Sequence, residues 1–198
     1  MFKLKLPKNL YNLPVIILCT GICYGQENPY RVLEIIGLEE GMVVGEVGAG
    51  EGYYSFLMSD FVGLSGHIYA NEIKPELIRK IRNYCKREDI QNVTVVKGKT
   101  TDAKFPVNNL DIVFMRHVLH CMKKPDIWMR CLDKYIKHGG FLVIIDGDPD
   151  VVRYGWDYLI RKEEVIKMTE DAGFKLTRIE DCLLPEDYIY IFQRLSKN

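Results

Sequence analysis

The chain has 198 residues, with 27 basic and 27 acidic side chains and a formal net charge of zero. That length fits one domain with a sizeable core. The charge balance speaks against a nucleic-acid binder that works by bulk electrostatics, because such proteins cluster Lys and Arg against phosphate; no nucleic-acid partner is expected.

At the N-terminus, Lys3, Lys5 and Lys8 precede an apolar run from Pro14 to Gly25. The run is shorter than the roughly 20 residues a membrane span needs. A basic start, a short apolar stretch and small residues near Gly25 resemble a secretory leader. The other reading is a peripheral segment packed on the domain. Residues 1–25 are therefore set apart from a domain at 26–198. From Asn28 onward helices and strands alternate. Asn28–Ile36 reads as a short helix stopped by Gly37, and Met42–Val47 as a strand. Gly52–Phe61 is a helix, Gly63–Gly66 a turn and His67–Asn71 a strand. Pro75–Arg87 is a helix with proline at its permitted first turn. Val93–Val96 is β-branched and suits a strand, and Leu110–Met115 is a further apolar run. Pro125–Lys137 reads as a helix stopped by Gly139-Gly140, and Phe141–Ile145 as a strand. Lys162–Ala172 is a helix closed by Gly173. Leu176–Glu180 and Tyr188–Phe192 come next as an antiparallel pair. The alternation implies βαβ units and a mainly parallel sheet with helices on both faces. The cysteines Cys19, Cys23, Cys85, Cys121, Cys131 and Cys182 form no CxxC pair and no ligand cluster with histidine. They read as reduced, mostly buried thiols, and no metal site is expected.

The densest signal is Val43-Val44-Gly45-Glu46-Val47-Gly48-Ala49-Gly50-Glu51-Gly52. An apolar strand ends beside an acid, and glycines then alternate into a helix. Glycines let the backbone turn tightly and approach a ligand, and the next helix presents unpaired N–H groups. A dinucleotide fingerprint G-x-G-x-x-G would place its third glycine at Tyr53; the glycine falls one place early, at Gly52.

The pattern Glu46-x-Gly48-x-Gly50-x-Gly52 resembles motif I of class I S-adenosylmethionine-dependent methyltransferases. Asp111–His120 resembles that family's fourth strand and the start of the next helix, and Gly139–Asp146 resembles its fifth strand. The closing antiparallel pair resembles its reversed last strand. The resemblance covers about Asn28 to Arg194. It implies a Rossmann-like three-layer α/β sandwich whose mainly parallel seven-stranded sheet has an antiparallel last strand. It implies S-adenosyl-L-methionine as cofactor, held by Glu46, Gly48, Gly50, Gly52, Glu72, Asp102 and Arg116. Of these, Glu72 ends the second strand, roughly 20 residues past the loop, where a ribose-binding acid belongs. Asp102 lies in the segment whose acid contacts adenine in that family.

Methyl transfer rests mainly on orientation and desolvation, so a strong catalytic signature is not required. His117 and His120 are the candidate proton acceptors; the plainer reading makes them a pocket wall and a helix residue. Asp146 and Asp148 could face substrate or serve as turn residues. Tyr53 and Tyr54 could cover a sulfonium by cation–π contact or belong to the core. The N-terminal segment and Asp148–Arg161 are the expected pocket walls, and a small-molecule or lipid-like acceptor is the expected partner. The alternatives are an NAD-type oxidoreductase and a non-catalytic cofactor-binding module. Cofactor supply favours the cytoplasm, with membrane association through residues 1–25 as an option and export as the alternative if they are a signal peptide.

Overall fold

A computed structural model describes residues 28–151, 158–181 and 186–195; the N-terminal segment 1–25 and Cys19, Cys23 and Cys182 lie outside them. The order is α1 (Pro29–Ile35), β1 (Val43–Val47), α2 (Tyr53–Val62), β2 (His67–Glu72), α3 (Pro75–Glu88), β3 (Val93–Lys97), β4 (Leu110–Arg116), α4 (Pro125–Leu132), β5 (Ile136–Gly147), α5 (Lys162–Glu170), β6 (Phe174–Glu180) and β7 (Asp187–Arg194). The strands form one sheet ordered β3-β2-β1-β4-β5-β7-β6. Strands β1 to β5 pair in parallel, and β7 runs antiparallel between β5 and β6.

Three layers arise from alternation along the strands, since successive side chains point to opposite faces. Ile112 and Phe114 of β4 join Val32 and Leu33 of α1 and Tyr54 and Met58 of α2 on one face. Val113 and Met115 join Trp128, Met129 and Val165 of α4 and α5 on the other. Ala70 and Ile81 make a smaller cluster with Ala49. Because the central strands are covered on both faces, they read as continuous apolar runs.

Two stretches depart from expectation. After β4 the chain makes a single 3-10 turn at Leu119–Cys121, and the next helix starts only at Pro125. The helix expected at Pro125–Lys137 stops at Leu132, a second 3-10 turn comes at Asp133–Tyr135, and β5 begins at Ile136. The Gly139-Gly140 pair does not end a helix. It lies within β5, where the register against β4 jumps from Leu110↔Ile136 to Ile112↔Phe141. A Cβ on Gly140 would stand 2.9 Å from the Asp111 carbonyl oxygen, so the strands close up only because that position is bare. The cysteines also differ from expectation: Cys121 is exposed, and Cys85 and Cys131 are half-buried free thiols.

The register places the site. Val47 of β1 pairs with Asn71 of β2 on one side and Met115 of β4 on the other. The chain leaves β1 toward β2 and β3, then returns to β4 on β1's other flank. The crevice at the carboxyl ends of β1 and β4 is therefore the topological switch point, where open α/β sheets bind ligands.

Candidate cofactor and acceptor site

The glycine loop leaves β1 and is fixed by hydrogen bonds to β2. Ala49 N donates to Asn71 O at 2.8 Å, and Gly50 N donates to Glu72 Oε2 at 3.0 Å. The other oxygen of Glu72 accepts from Ile73 N at 2.7 Å and Lys74 N at 3.0 Å. Glu72 is thus a buried carboxylate that ties the loop to the end of β2, not a solvated strand end. A carboxylate has about four acceptor positions, so three backbone donors leave room for one more hydroxyl.

The glycines divide by what surrounds them. A Cβ on Gly48 would stand 2.1 Å from Val118 Cγ2, and one on Gly52 would stand 2.7 Å from the Phe56 ring. Both are packing positions. A Cβ on Gly50 would meet nothing within 4 Å, so this residue borders the open crevice.

Glu46 sits on the same face of β1 as Val44 and points at the first turn of α2, where Ser55 Oγ donates to its Oε2. Burial pushes its carboxyl up to about 8 from an ordinary 4.5, the Ser55 bond pulls the other way, and the charge of Glu72 adds to the rise. Two carboxylates at one strand edge are therefore treated differently: Glu72 is supplied with backbone donors and Glu46 is kept neutral. Ser55 was not legible as a site residue. Its position in the first turn after the glycines is the only signal it gives.

Asp102 lies beyond β3 and is turned toward α4 and the start of β5. It accepts from Tyr135 Oη and from Lys134 Nζ at 3.1 Å, and Lys104 N and Nζ also reach it. Burial opposes its ionisation, but the bonds from Tyr135, Lys104 and Lys134 outweigh it and hold its carboxyl well below the usual range. None of these partners is on the glycine loop. The segment around Asp102 is instead anchored through its backbone, with Asn71 Nδ2 donating to Ala103 O at 2.7 Å and Trp128 Nε1 to Thr100 O at 2.7 Å. Arg116 ends β4, its guanidinium 5.3 Å from the ring centroid of Tyr54. Tyr54 itself is buried and 5.1 Å from Phe114, so it belongs to the core, while Tyr53 is exposed at the helix start.

The two histidines fall beside the same crevice edge, each against a carboxylate. His117 comes directly after β4 with φ 51°, in the left-handed region unusual for a side-chain-bearing residue. Its Nε2 lies 2.6 Å from Asp187 Oδ2. His120 Nδ1 lies 2.6 Å from Asp146 Oδ1, and its backbone N donates to Oδ2 at 3.3 Å. These side chains, with Gly147, Leu159 and Glu186, line a cavity of about 180 Å³. Asp148 does not share this role: it accepts from Asp150 N and Lys162 N, both at 2.8 Å, and so holds the start of α5. Asp187 and Glu186 are silent in the sequence, because nothing local marks a residue 70 positions from its partner. A larger cavity of about 390 Å³ lies at the opposite edge of the sheet, by Met42, Asp111 and Lys137, away from the glycine loop.

Glu46 generates a pH prediction. A carboxyl raised in the fold binds a proton that the unfolded chain has lost, so stability falls as pH rises from about 4.5 through about 8. Glu46→Gln keeps the neutral shape and removes that fall. Thermal melts of the ligand-free proteins should show the variant above wild type near pH 9 and the gap closing toward pH 5.

Comparison with known proteins agrees with this geometry. A family model described as "Methyltransferase domain" matches residues 38–193. The protein-L-isoaspartate O-methyltransferase of Fervidobacterium nodosum is 30% identical over 180 residues, 88% of this chain and 81% of that protein. The demethylmenaquinone methyltransferase of Listeria welshimeri is 25% identical over 127 residues, 64% of this chain and 53% of that protein. Matches to further protein-L-isoaspartate O-methyltransferases span 31% to 63% of their length. The crystal structure of a SAM dependent methyltransferase from Aquifex aeolicus has a TM-score of 0.78 at 27% identity, over 85% of this chain and 90% of that one. A reversed β7, a glycine loop pinned to β2 and a match across most of the chain converge on one conclusion: the chain belongs to the S-adenosylmethionine-dependent methyltransferases of the class I fold.

Proposed function

We propose that the chain transfers the methyl group of S-adenosyl-L-methionine to a small-molecule or lipid-like acceptor. The observation that carries this reading is the adjacency of two built features: the loop held open at Gly50 by Glu72, and the cavity where Asp146 orients His120. The residues present suit this cofactor. The space over Gly50 admits a ligand against bare backbone, Glu72 has one acceptor position left for a ribose hydroxyl, and Glu46 can meet a cationic amino end. Arg116 and the backbone of the segment around Asp102 border the same edge. Bound there, S-adenosylmethionine supplies a sulfonium-activated methyl group. The chain supplies alignment, exclusion of water and, at His120, a proton acceptor within the acceptor cavity.

A non-catalytic binding module would have no use for an imidazole oriented by a buried carboxylate. An NAD-type oxidoreductase would want the third glycine at position 53, where Tyr53 stands. Residues 26–198 are read as the methyltransferase domain; the leader-like or peripheral reading of residues 1–25 falls outside the described residues. Among the described residues no helix is long and apolar enough to cross a membrane. Cytoplasmic placement is read from where the cofactor is made.

Calorimetry under one set of conditions decides the cofactor: S-adenosylhomocysteine should bind and NAD should bind more weakly; the reverse order rejects the reading. Two substitutions refine it. Gly50→Val places a branched side chain in the open space over the loop, at a φ of 58° that also strains the loop backbone, and should abolish S-adenosylhomocysteine binding while far-ultraviolet circular dichroism shows the rest of the domain folded. Glu72→Ala removes the acceptor of three backbone N–H groups. A charge-assisted hydrogen bond is worth about 1.5–3 kcal/mol, so cofactor affinity should fall roughly ten- to a hundredfold, and the melting temperature should fall with it as the loop loses its tie to β2.

A further inference from the structure

Nine of the chain's 27 basic residues but only four of its 27 acidic residues lie between Lys74 and Lys104. That stretch holds α3, the edge strand β3 and the loop after it, so a chain with no net charge carries a concentrated positive face. Its acids offset little of it. Glu88 is paired with Arg87, Asp102 with Lys104 and Lys134, and Glu76 and Asp89 stand at the two ends of α3. Lys80 is paired with Glu51 from the glycine loop. Lys74, Arg79, Lys86, Lys97 and Lys99 are exposed and make no ion pair among the described residues. Lys74, Lys97 and Lys99 stand at the carboxyl ends of β2 and β3, beside the crevice: Lys97 pairs in register with Glu72, which Lys74 follows by two residues. Arg79 and Lys86 are about two turns apart, roughly 10 Å, and share one side of α3, away from the buried Ile78 and Ile81. Arg82 leans toward the sheet, its guanidinium 3.5 Å from Val95 O of β3. Charge on an edge strand discourages pairing with another chain, which accounts for Arg82 and Lys97 but not for Arg79 and Lys86 on the outer side of the helix.

Going beyond the methyl-transfer reading and independently of it, we propose that the face made by α3 and the end of β3 docks on an anionic lipid surface, bringing the rim of the crevice close to the headgroups. A bilayer asks for positive charge spread over a face and for no fixed pairing geometry. Five flexible cationic side chains distributed over a helix, a strand end and a loop provide that. Ile73, 43% exposed beside Lys74, adds an apolar contact at the rim. A single nucleic-acid strand asks for more, an aromatic face on which its bases can stack. The aromatic residue within this face is Tyr84, and its ring is already stacked on Phe56 at 4.2 Å and covered by the Arg87 guanidinium at 4.8 Å. The sequence offers the bilayer a second element in Lys3, Lys5, Lys8 and the apolar run from Pro14, all outside the described residues. One weak apolar anchor holds a bilayer only marginally, and a polybasic face is the second contribution that makes association stable.

The test uses the full chain without cofactor, sedimented with vesicles of phosphatidylcholine alone or of phosphatidylcholine and phosphatidylglycerol in equal parts. Wild type should prefer the anionic vesicles by about tenfold or more, and the preference should fade as salt is raised and the attraction is screened. The double variant Arg79→Gln, Lys86→Gln removes two exposed charges outside the crevice. Each basic residue near an anionic surface is worth roughly fivefold, so binding should fall about tenfold or more. The control Lys123→Gln, Lys175→Gln removes the same charge from exposed positions ahead of α4 and on β6 at the other sheet edge; its binding should stay within about twofold of wild type. Thermal melts keep the comparison to folded proteins. Absence of binding, or equal binding to both vesicles, overturns the proposal. So does full retention in Arg79→Gln, Lys86→Gln, which would assign attachment to the N-terminal residues alone, or an equal loss in the control, which would make the effect one of total charge. Labelled single-stranded polyuridine that binds wild type and is lost in Arg79→Gln, Lys86→Gln also overturns it and makes the partner a nucleic acid.

Discussion

The carboxylate of Glu72 is the point on which the site hangs. It gathers Gly50 N from the loop and Ile73 N and Lys74 N from the turn into α3. Each bond is ordinary. Together they join the glycine loop to the turn that leads from β2 into α3. The loop after β1 has no regular structure of its own to hold it, and its glycines raise the entropy lost on ordering. An acceptor brought in from the next strand supplies the missing order, and it does so where the parallel register already sets β1 and β2 side by side. The same strand end holds the segment after β3, through Gly98 N on Glu72 O and Asn71 on Ala103 O.

Glu46 and Glu72 show how environment assigns different work to the same side chain. Glu46 faces α2 inside the fold, with Ser55 as its donor, and stays protonated at neutral pH. Glu72 sits at a strand end among backbone N–H groups. An ammonium group arriving beside Glu46 would favour its ionised form. Kept neutral, the buried Glu46 carboxyl avoids the cost of an unpaired charge inside the fold.

Much of this was legible along the chain because it is local. The alternation of apolar runs and helical stretches placed every strand from β1 to β7. The acid before Gly48 and the early glycine at Gly52 separated this loop from a dinucleotide fingerprint. What could not be read was non-local. Nothing near His117 announces Asp187, and nothing near His120 announces Asp146; those pairs exist only because β5 and β7 end beside β4. Glycine chemistry was also ambiguous. Gly139-Gly140 carries the same signal whether it stops a helix or lets β5 press against β4, and neighbouring backbone decided for the latter. Likewise Gly48, Gly50 and Gly52 are equivalent in the motif, yet only Gly50 borders open space. The partners of Asp102 were equally out of reach along the chain: its carboxylate is engaged by Tyr135 and Lys134, more than 30 residues on.

Gly48 makes room for Val118, whose methyl group occupies the place a Cβ would take. Val118 stands next to His117 and two residues before His120, so the back of the glycine loop rests on the stretch that carries both imidazoles. The two halves of the site are thus not portable separately. A graft that exchanges the segment after β4 would also replace the bearing surface of the glycine loop, and a bulkier residue at 118 would dislodge that loop. Chimaeras of this fold should therefore be cut outside Val118, with the loop and its bearing moved together.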